Sequence, residues 1–167
     1  MTQASVAGGP AAAAAEAAIE MCSVRVGEAL FGIPIMEILE ILDAPATRPV
    51  PLAPAHIGGL VHYRGEILTA VSLRSLLGLL PHTKPPDLLV FDGKDGDGRD
   101  GKGKDGYFGL LVDAVGEVLT VTAEEFEPNP STLDDSRKAL FAGAYKLENG
   151  LLVMLDPARF DPVKLSQ

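Results

Sequence analysis

From Met21 the chain alternates apolar and polar positions through Val24 and Val26, pauses at Gly27–Glu28 and resumes at Leu30. That period of two with a turn between marks a hairpin. The next run, Phe31 to Leu42, contains Gly32 and Pro34, which would break a continuous helix. It predicts a strand that bends near Pro34 and continues through Ile38, Glu40 and Leu42, with a short helical turn at Met36–Leu39 as the competing reading. Asp43 to Pro54 holds four prolines and predicts an extended connection with Val50 and Leu52 turned inward. Ile57 to Tyr63 and Glu66 to Leu73 are two apolar runs separated by Arg64–Gly65, a hairpin tip in which Gly65 can take a positive φ at no steric cost. Leu73, Leu76, Leu77 and Leu80 have the spacing of a short amphipathic helix that Pro81 ends.

Further strands are predicted at Leu88–Phe91, Tyr107–Val112, Gly116–Thr122, Phe141–Leu147 and Leu151–Leu155. Glu148-Asn149-Gly150 joins the last two, and Asn-Gly favours a type I′ turn. A brief helix at Pro157–Phe160 would close a domain over 19–162. The expected class is all-β, with about nine or ten strands and one or two short helices. Residues 1–18, rich in Ala and Gly, are expected to form a disordered tail, and 163–167 a C-terminal one. Residues 92–106 comprise six Gly, five Asp and four Lys or Arg. Nothing there can enter a core, so a flexible hairpin loop is expected.

Composition narrows the functions. Apolar residues make up 47% of the 167, but only 5% are aromatic and none is Trp, so the interior must be mainly aliphatic. A formal charge of −9 argues against nucleic acid and against anionic membranes, which need a clustered basic surface. The single cysteine, Cys22, can form no internal disulfide, and its alternating neighbours suggest a small core residue. No basic start leads an apolar block at the N-terminus, and no apolar run reaches the roughly 20 residues of a membrane helix. A cytoplasmic protein is therefore expected.

Chemistry is sparse. His56, His62 and His82 lack ligand spacing, and with one Cys they make no zinc site. Asp95 and Asp97 are followed by Arg99 where a third calcium ligand would stand. Ser72 and Ser75 sit in no nucleophile elbow, and the Gly-rich loop lacks the Lys-Ser/Thr ending of a phosphate loop. No metal, cofactor or catalytic residue is expected. The oddity is Ile35, Met36, Ile38, Leu39, Ile41 and Leu42, which cannot all face one way on a strand. Either both faces are buried or a second protein covers one of them.

Phe31-Gly32-Ile33, Ile38-Leu39-Glu40-Ile41, Val50-Pro51, Ile57-Gly58-Gly59-Leu60, Tyr63-Arg64-Gly65-Glu66-Ile67 and Val71-Ser72-Leu73-Arg74 form an ordered series. With Phe108 to Val115, Glu117-Val118-Leu119 and Leu151–Leu155, the series resembles the CheW family of chemotaxis adaptors over roughly residues 21–160. Three departures stand out: His62 replaces a common Asn, and Thr69 and Ser72 replace the usual Pro and Asp. The loop at 92–106 is also longer than typical.

The resemblance implies two SH3-like five-stranded β-barrel subdomains sharing a core. It implies a non-catalytic adaptor coupling methyl-accepting chemoreceptor tips to the regulatory domain of a CheA-type histidine kinase. Carried over by position, Ile38, Glu40, Gly59 and Arg64 would lie at the receptor-binding groove. Leu110, Val112 and Val118 would lie in a second lobe facing the kinase. Arg64 could hold a partner's carboxylate or tie Glu40 internally, and Gly59 could be required because another backbone passes close by. Two alternatives stay open: a ligand-binding or enzymatic domain using the inter-lobe cleft through Arg64, Glu40 and His62, and a detached kinase regulatory domain. The start at Met1 and the close after Phe160 lead us to expect a free-standing protein.

Overall fold

The structure is a computed structural model that describes residues 18–93 and 106–165. Eleven strands among these residues form two sheets. The first contains β1 (Ile19–Val26), β2 (Ala29–Pro34), β8 (Ala114–Val121), β9 (Phe126–Glu127), β10 (Phe141–Leu147) and β11 (Gly150–Leu155), in the order β8-β1-β2-β11-β10-β9. The second contains β3 (Glu40–Leu42), β4 (Ile57–Tyr63), β5 (Glu66–Ser72), β6 (Asp87–Asp92) and β7 (Tyr107–Val112), in the order β3-β6-β7-β5-β4. The five-stranded unit is therefore inserted between β2 and β8, and the two lobes are not successive halves of the chain. Each sheet holds one parallel pair, β2 with β11 and β5 with β7; every other pairing is antiparallel.

One core serves both sheets. Val24, Phe31 and Ile33 meet Val71, Leu89, Phe91, Leu110 and Val112, with Leu155 and Phe160 completing it. Smaller clusters lie on either side, around Leu68 and Val90 in one sheet and Met21 and Leu152 in the other. Cys22 is buried in the shared core, and that burial raises its thiol pKa.

Several expectations are corrected. After Pro34 the competing reading is the nearer one: a 3₁₀ turn at Ile35–Glu37, slightly earlier than the expected Met36–Leu39, replaces the bent continuous strand and carries the chain across to β3 in the other sheet. The apolar oddity resolves by this crossing. Ile38 packs on the shared core and Leu42 on the smaller cluster, while Met36, Leu39 and Ile41 stay exposed. The amphipathic helix shortens to a single turn, α1 (Leu73–Leu76), leaving Leu79 and Leu80 exposed. A second helix, α2 (Asp135–Leu140), is capped by Asp134, whose carboxylate accepts from the Arg137 N–H. A third, α3 (Pro162–Leu165), follows the 3₁₀ turn at Pro157–Phe160, and Leu165 packs against the core. At the β10–β11 tip the turn residues are Glu148 and Asn149; Asn149 has no positive φ, so the turn is not type I′. Of the expected loop 92–106, Asp92 instead ends β6, paired with Tyr107, and the Gly93 N–H donates to the Gly106 carbonyl at 2.9 Å; residues 94–105 lie outside the described residues.

Leu52 is not turned inward. It is fully exposed, with φ 62°. The Ala53 N–H donates to the Val50 carbonyl at 3.3 Å, so Pro51 and Leu52 are the centre of a type II turn whose third position suits Gly. Since the Leu52 side chain packs on nothing, Leu52→Gly should remove left-handed strain and raise stability by about 0.5–1 kcal/mol. A thermal melt should show the midpoint rising by roughly 2 °C; a fall would mean that the side chain supports the turn.

Candidate functional site

The two-residue tip between β4 and β5 places both Arg64 (φ 50°) and Gly65 (φ 78°) in the left-handed region, as a type I′ turn demands. Gly65 takes that conformation freely. Arg64 does not, and a bulky residue held there is strain of the kind that collects at functional positions. Its guanidinium lies over the Tyr63 ring, 5.2 Å from the centroid.

Three side chains meet at this tip. The Arg64 Nη2 is 3.3 Å from Glu40 Oε1, and the Tyr63 hydroxyl donates to the same oxygen at 2.9 Å. Burial, and secondarily the bond to Glu40, push the Tyr63 phenol up. Tyr63 is itself held edge-on to Tyr107, with centroids 4.9 Å apart. Glu40 lies on β3 and Tyr63 on β4, the two edge strands of the five-stranded sheet. The sheet thus curls until its edges come within side-chain reach, and Glu40 clasps them. Arg64 remains 66% and Glu40 41% exposed, so the pair faces solvent. Such a pair contributes only about 0–1 kcal/mol. Only Nη2 of the five-donor fork is engaged among the described residues.

The other expected site residues are placed differently. Gly59 is buried in a bulge of β4 at φ 146°, beneath the segment 45–48. A Cβ there would sit 2.5 Å from Thr47 Cγ2 and 2.6 Å from the Arg48 carbonyl oxygen. The close approach of this backbone accounts for a glycine here. Leu110 and Val112 lie in the shared core, 1% and 0% exposed, on β7 of the same sheet as Arg64. Of the three residues expected to face the kinase, only Val118 reaches the surface, 46% exposed on the edge strand β8 of the other sheet. Ile38 is half-buried next to the exposed Met36 and Leu39.

Ser72 keeps the local task of a capping carboxylate: its hydroxyl accepts from the Ser75 N–H at 3.2 Å. In the other sheet Asp156 caps the turn after β11 in the same way, at 3.1 Å to Ala158. Thr69 stands mid-strand in β5, half-buried and paired with both Leu60 and Phe108. His62 is exposed on β4.

A cluster that the sequence pattern did not single out joins the two sheets. Asp113, between β7 and β8, accepts from Arg74 Nε at 3.1 Å, His82 Nδ1 at 2.9 Å and the Gly27 N–H at 2.8 Å. An Asp set between two apolar strands was the available signal. Beside it, an apolar groove of about 750 Å³ runs between the sheets, lined by Val26, Phe31, Leu77, Leu80 and Phe141. Its polar members are Arg74, Glu28 and Arg137; Arg64, Glu40 and His62 are absent from it. No group of three or more His, Cys, Asp or Glu side chains among the described residues could hold a metal ion. No helix among them is long and apolar enough to cross a membrane.

Two sheets on one shared core, uncovered apolar residues and a strained arginine at a hairpin tip define a β-domain whose surface suits contact with other proteins. The family model of the CheW-like domain matches residues 20–161, and the chain belongs to that family. It is 28% identical over 139 residues to the chemotaxis protein CheW of Rhizobium meliloti (strain 1021), covering 82% of this chain and 83% of that one. It is 25% identical over 137 residues to the chemotaxis protein CheW of Treponema pallidum (strain Nichols), covering 82% and 78%. In fold it is similar to the scaffolding protein TtCheW from Thermoanaerobacter tengcongensis, with a TM-score of 0.67 and 23% identity, covering 82% of this chain and 88% of that crystal structure.

Proposed function

We propose that the protein is a non-catalytic coupling adaptor of the cytoplasm, joining chemoreceptor tips to the regulatory domain of a CheA-type histidine kinase in receptor arrays. Membership of the CheW-like family supports the adaptor role. The observation that carries the choice of surface is Arg64: a residue on a left-handed backbone whose solvent-facing guanidinium is oriented by Glu40 and the Tyr63 ring and has donors to spare. Ile38, Glu40 and Arg64 form the receptor side, while Gly59 lets segment 45–48 lie close against β4. Val118 on the β8 edge marks the kinase side, with Leu110 and Val112 acting only as the core under β7.

The test is binding of the purified chain to a receptor cytoplasmic fragment and to a kinase regulatory domain, together with stimulated kinase output. Failure to bind both partners would sink the adaptor reading. Arg64→Ala should weaken receptor attachment about tenfold or more. It should move the thermal midpoint little, since it removes one exposed ion pair and one exposed contact with the Tyr63 ring, each worth under about 1 kcal/mol. A loss of several kcal/mol would assign Arg64 to the clasp alone.

A further inference from the structure

A second surface lies along the same hairpin. Segment 45–48 crosses the outer edge of β4 and leaves a pocket of about 370 Å³, lined by Pro45, Arg48, Leu60, His62 and Ile67 among others. Its walls are fixed by backbone. The Arg48 N–H donates to the Leu60 carbonyl at 2.9 Å, and the Leu60 N–H returns to the Arg48 carbonyl at 2.7 Å. Close to one end, the Ala44 N–H donates to Asp87 Oδ1 at 3.2 Å. None of these bonds uses the Arg48 side chain.

The chain carries 23 acidic residues against 14 Lys and Arg, and the exposed Arg48 side chain, like those of Arg25 and Lys84, has no hydrogen bond or ion pair among the described residues; of the three, Arg48 alone lines this pocket. His62 and Ile67 are direct cross-strand neighbours, His62 exposed and Ile67 61% exposed. A free fork of donors beside uncovered apolar surface is complementary to a carboxylate with an apolar side chain next to it. One arginine and no lysine in the lining suit a single carboxylate and fall short of the clustered basic surface that nucleic acid or anionic lipid requires.

We propose that this pocket binds an acidic, partly apolar segment of the receptor tip, with Arg48 holding the carboxylate and Ile67 the apolar side chain. His62 borders the pocket and tunes which segment fits. The inference rests on the receptor reading above, because His62 and Arg64 stand two residues apart on one hairpin.

The experiment measures binding of the full chain and its Arg48→Glu and Ile67→Ser variants to a purified receptor cytoplasmic fragment, at low and high salt. A kinase regulatory domain and sedimentation of the chain alone serve as controls. Arg48→Glu should weaken receptor binding about tenfold or more at low salt, with the gap from wild type narrowing as salt rises. Ile67→Ser should weaken it with little change in salt dependence. Kinase binding and the thermal midpoint should be unchanged. If wild type fails to bind the receptor fragment, the receptor reading falls and takes this inference with it. If wild type binds and Arg48→Glu binds equally well, only the pocket assignment is overturned. Loss of kinase binding alone would give the pocket to the kinase, and self-association abolished by Arg48→Glu would give it to a second copy. Either result overturns the proposal, as would a general loss of both partners with a lowered midpoint.

Discussion

Gly59→Ala should cost the fold about 3–4 kcal/mol, a large share of the 5–15 kcal/mol that a domain usually has. Two effects add. An L-residue at φ 146° sits in a region that glycine alone occupies readily, costing about 1–3 kcal/mol. The new methyl would also lie 2.5 Å from Thr47 Cγ2 and 2.6 Å from the Arg48 carbonyl oxygen. The second contact is with backbone, so it is relieved only by pushing segment 45–48 outward and stretching the paired Arg48–Leu60 hydrogen bonds. Gly65→Ala is the matched control, because Gly65 is also left-handed (φ 78°) but has nothing within 4 Å of the place its methyl would take. It should cost about 1–2 kcal/mol. Urea unfolding of both variants separates strain from collision, and equal costs would refute the close-approach explanation. Gly59→Ala should also lose receptor attachment, but in proportion to the unfolded fraction and to displacement of Arg48, not through any contact made by Gly59.

The hairpins were legible because alternation and turn chemistry are local. Val24, Val26, Tyr63 and Leu68 all fall inward as period two requires, and Arg64–Gly65 is a turn in sequence and in structure. Three features were not legible, each for its own reason. The crossing at Ile35–Glu37 depends on which sheet accepts β3, and apolar residues on both faces of 35–42 suit either one. Helix α2 buries only Leu140, so no apolar stripe announces it. Leu52 follows a proline in a turn that favours Gly at its place, and hydropathy alone turned it inward. Within the site, the Glu40 and Arg64 pairing was open in the sequence as one of two roles for Arg64. Tyr63 as the second ligand of Glu40 depends on the curl of the sheet, which joins residues 23 and 24 positions apart.

Asp113→Ala should be the other severe variant, costing about 2–3 kcal/mol, because one carboxylate satisfies three donors from separate elements. Its removal leaves the Arg74 guanidinium, only 18% exposed, without its anion, and frees the Gly27 N–H that fixes the β1–β2 tip. These elements belong to different sheets, so the loss should fall on how the sheets are held together. His82 adds a pH signature. It lines a small pocket with Asp113, Arg74, Thr83 and Lys84, and its buried Nε2 has no hydrogen-bond partner among the described residues. Burial lowers its pKa below the usual 6.5, against the opposing pull of Asp113. The unfolded chain therefore takes up the proton first as pH falls, so His82 leaves stability intact well above 6.5 and erodes it on acidification through 6.5 toward the folded value. Asp113→Ala removes the attraction that raises this pKa, which should widen the window downward and deepen the acid loss. Urea midpoints compared at about pH 7.5 and about pH 5.5 should show wild type less stable at the lower pH, Asp113→Ala more strongly so, and His82→Gln with the smallest difference. A wild-type midpoint that rises on acidification would mean that the Asp113 ion pair, not burial, governs His82, and the junction would then be strengthened by acid.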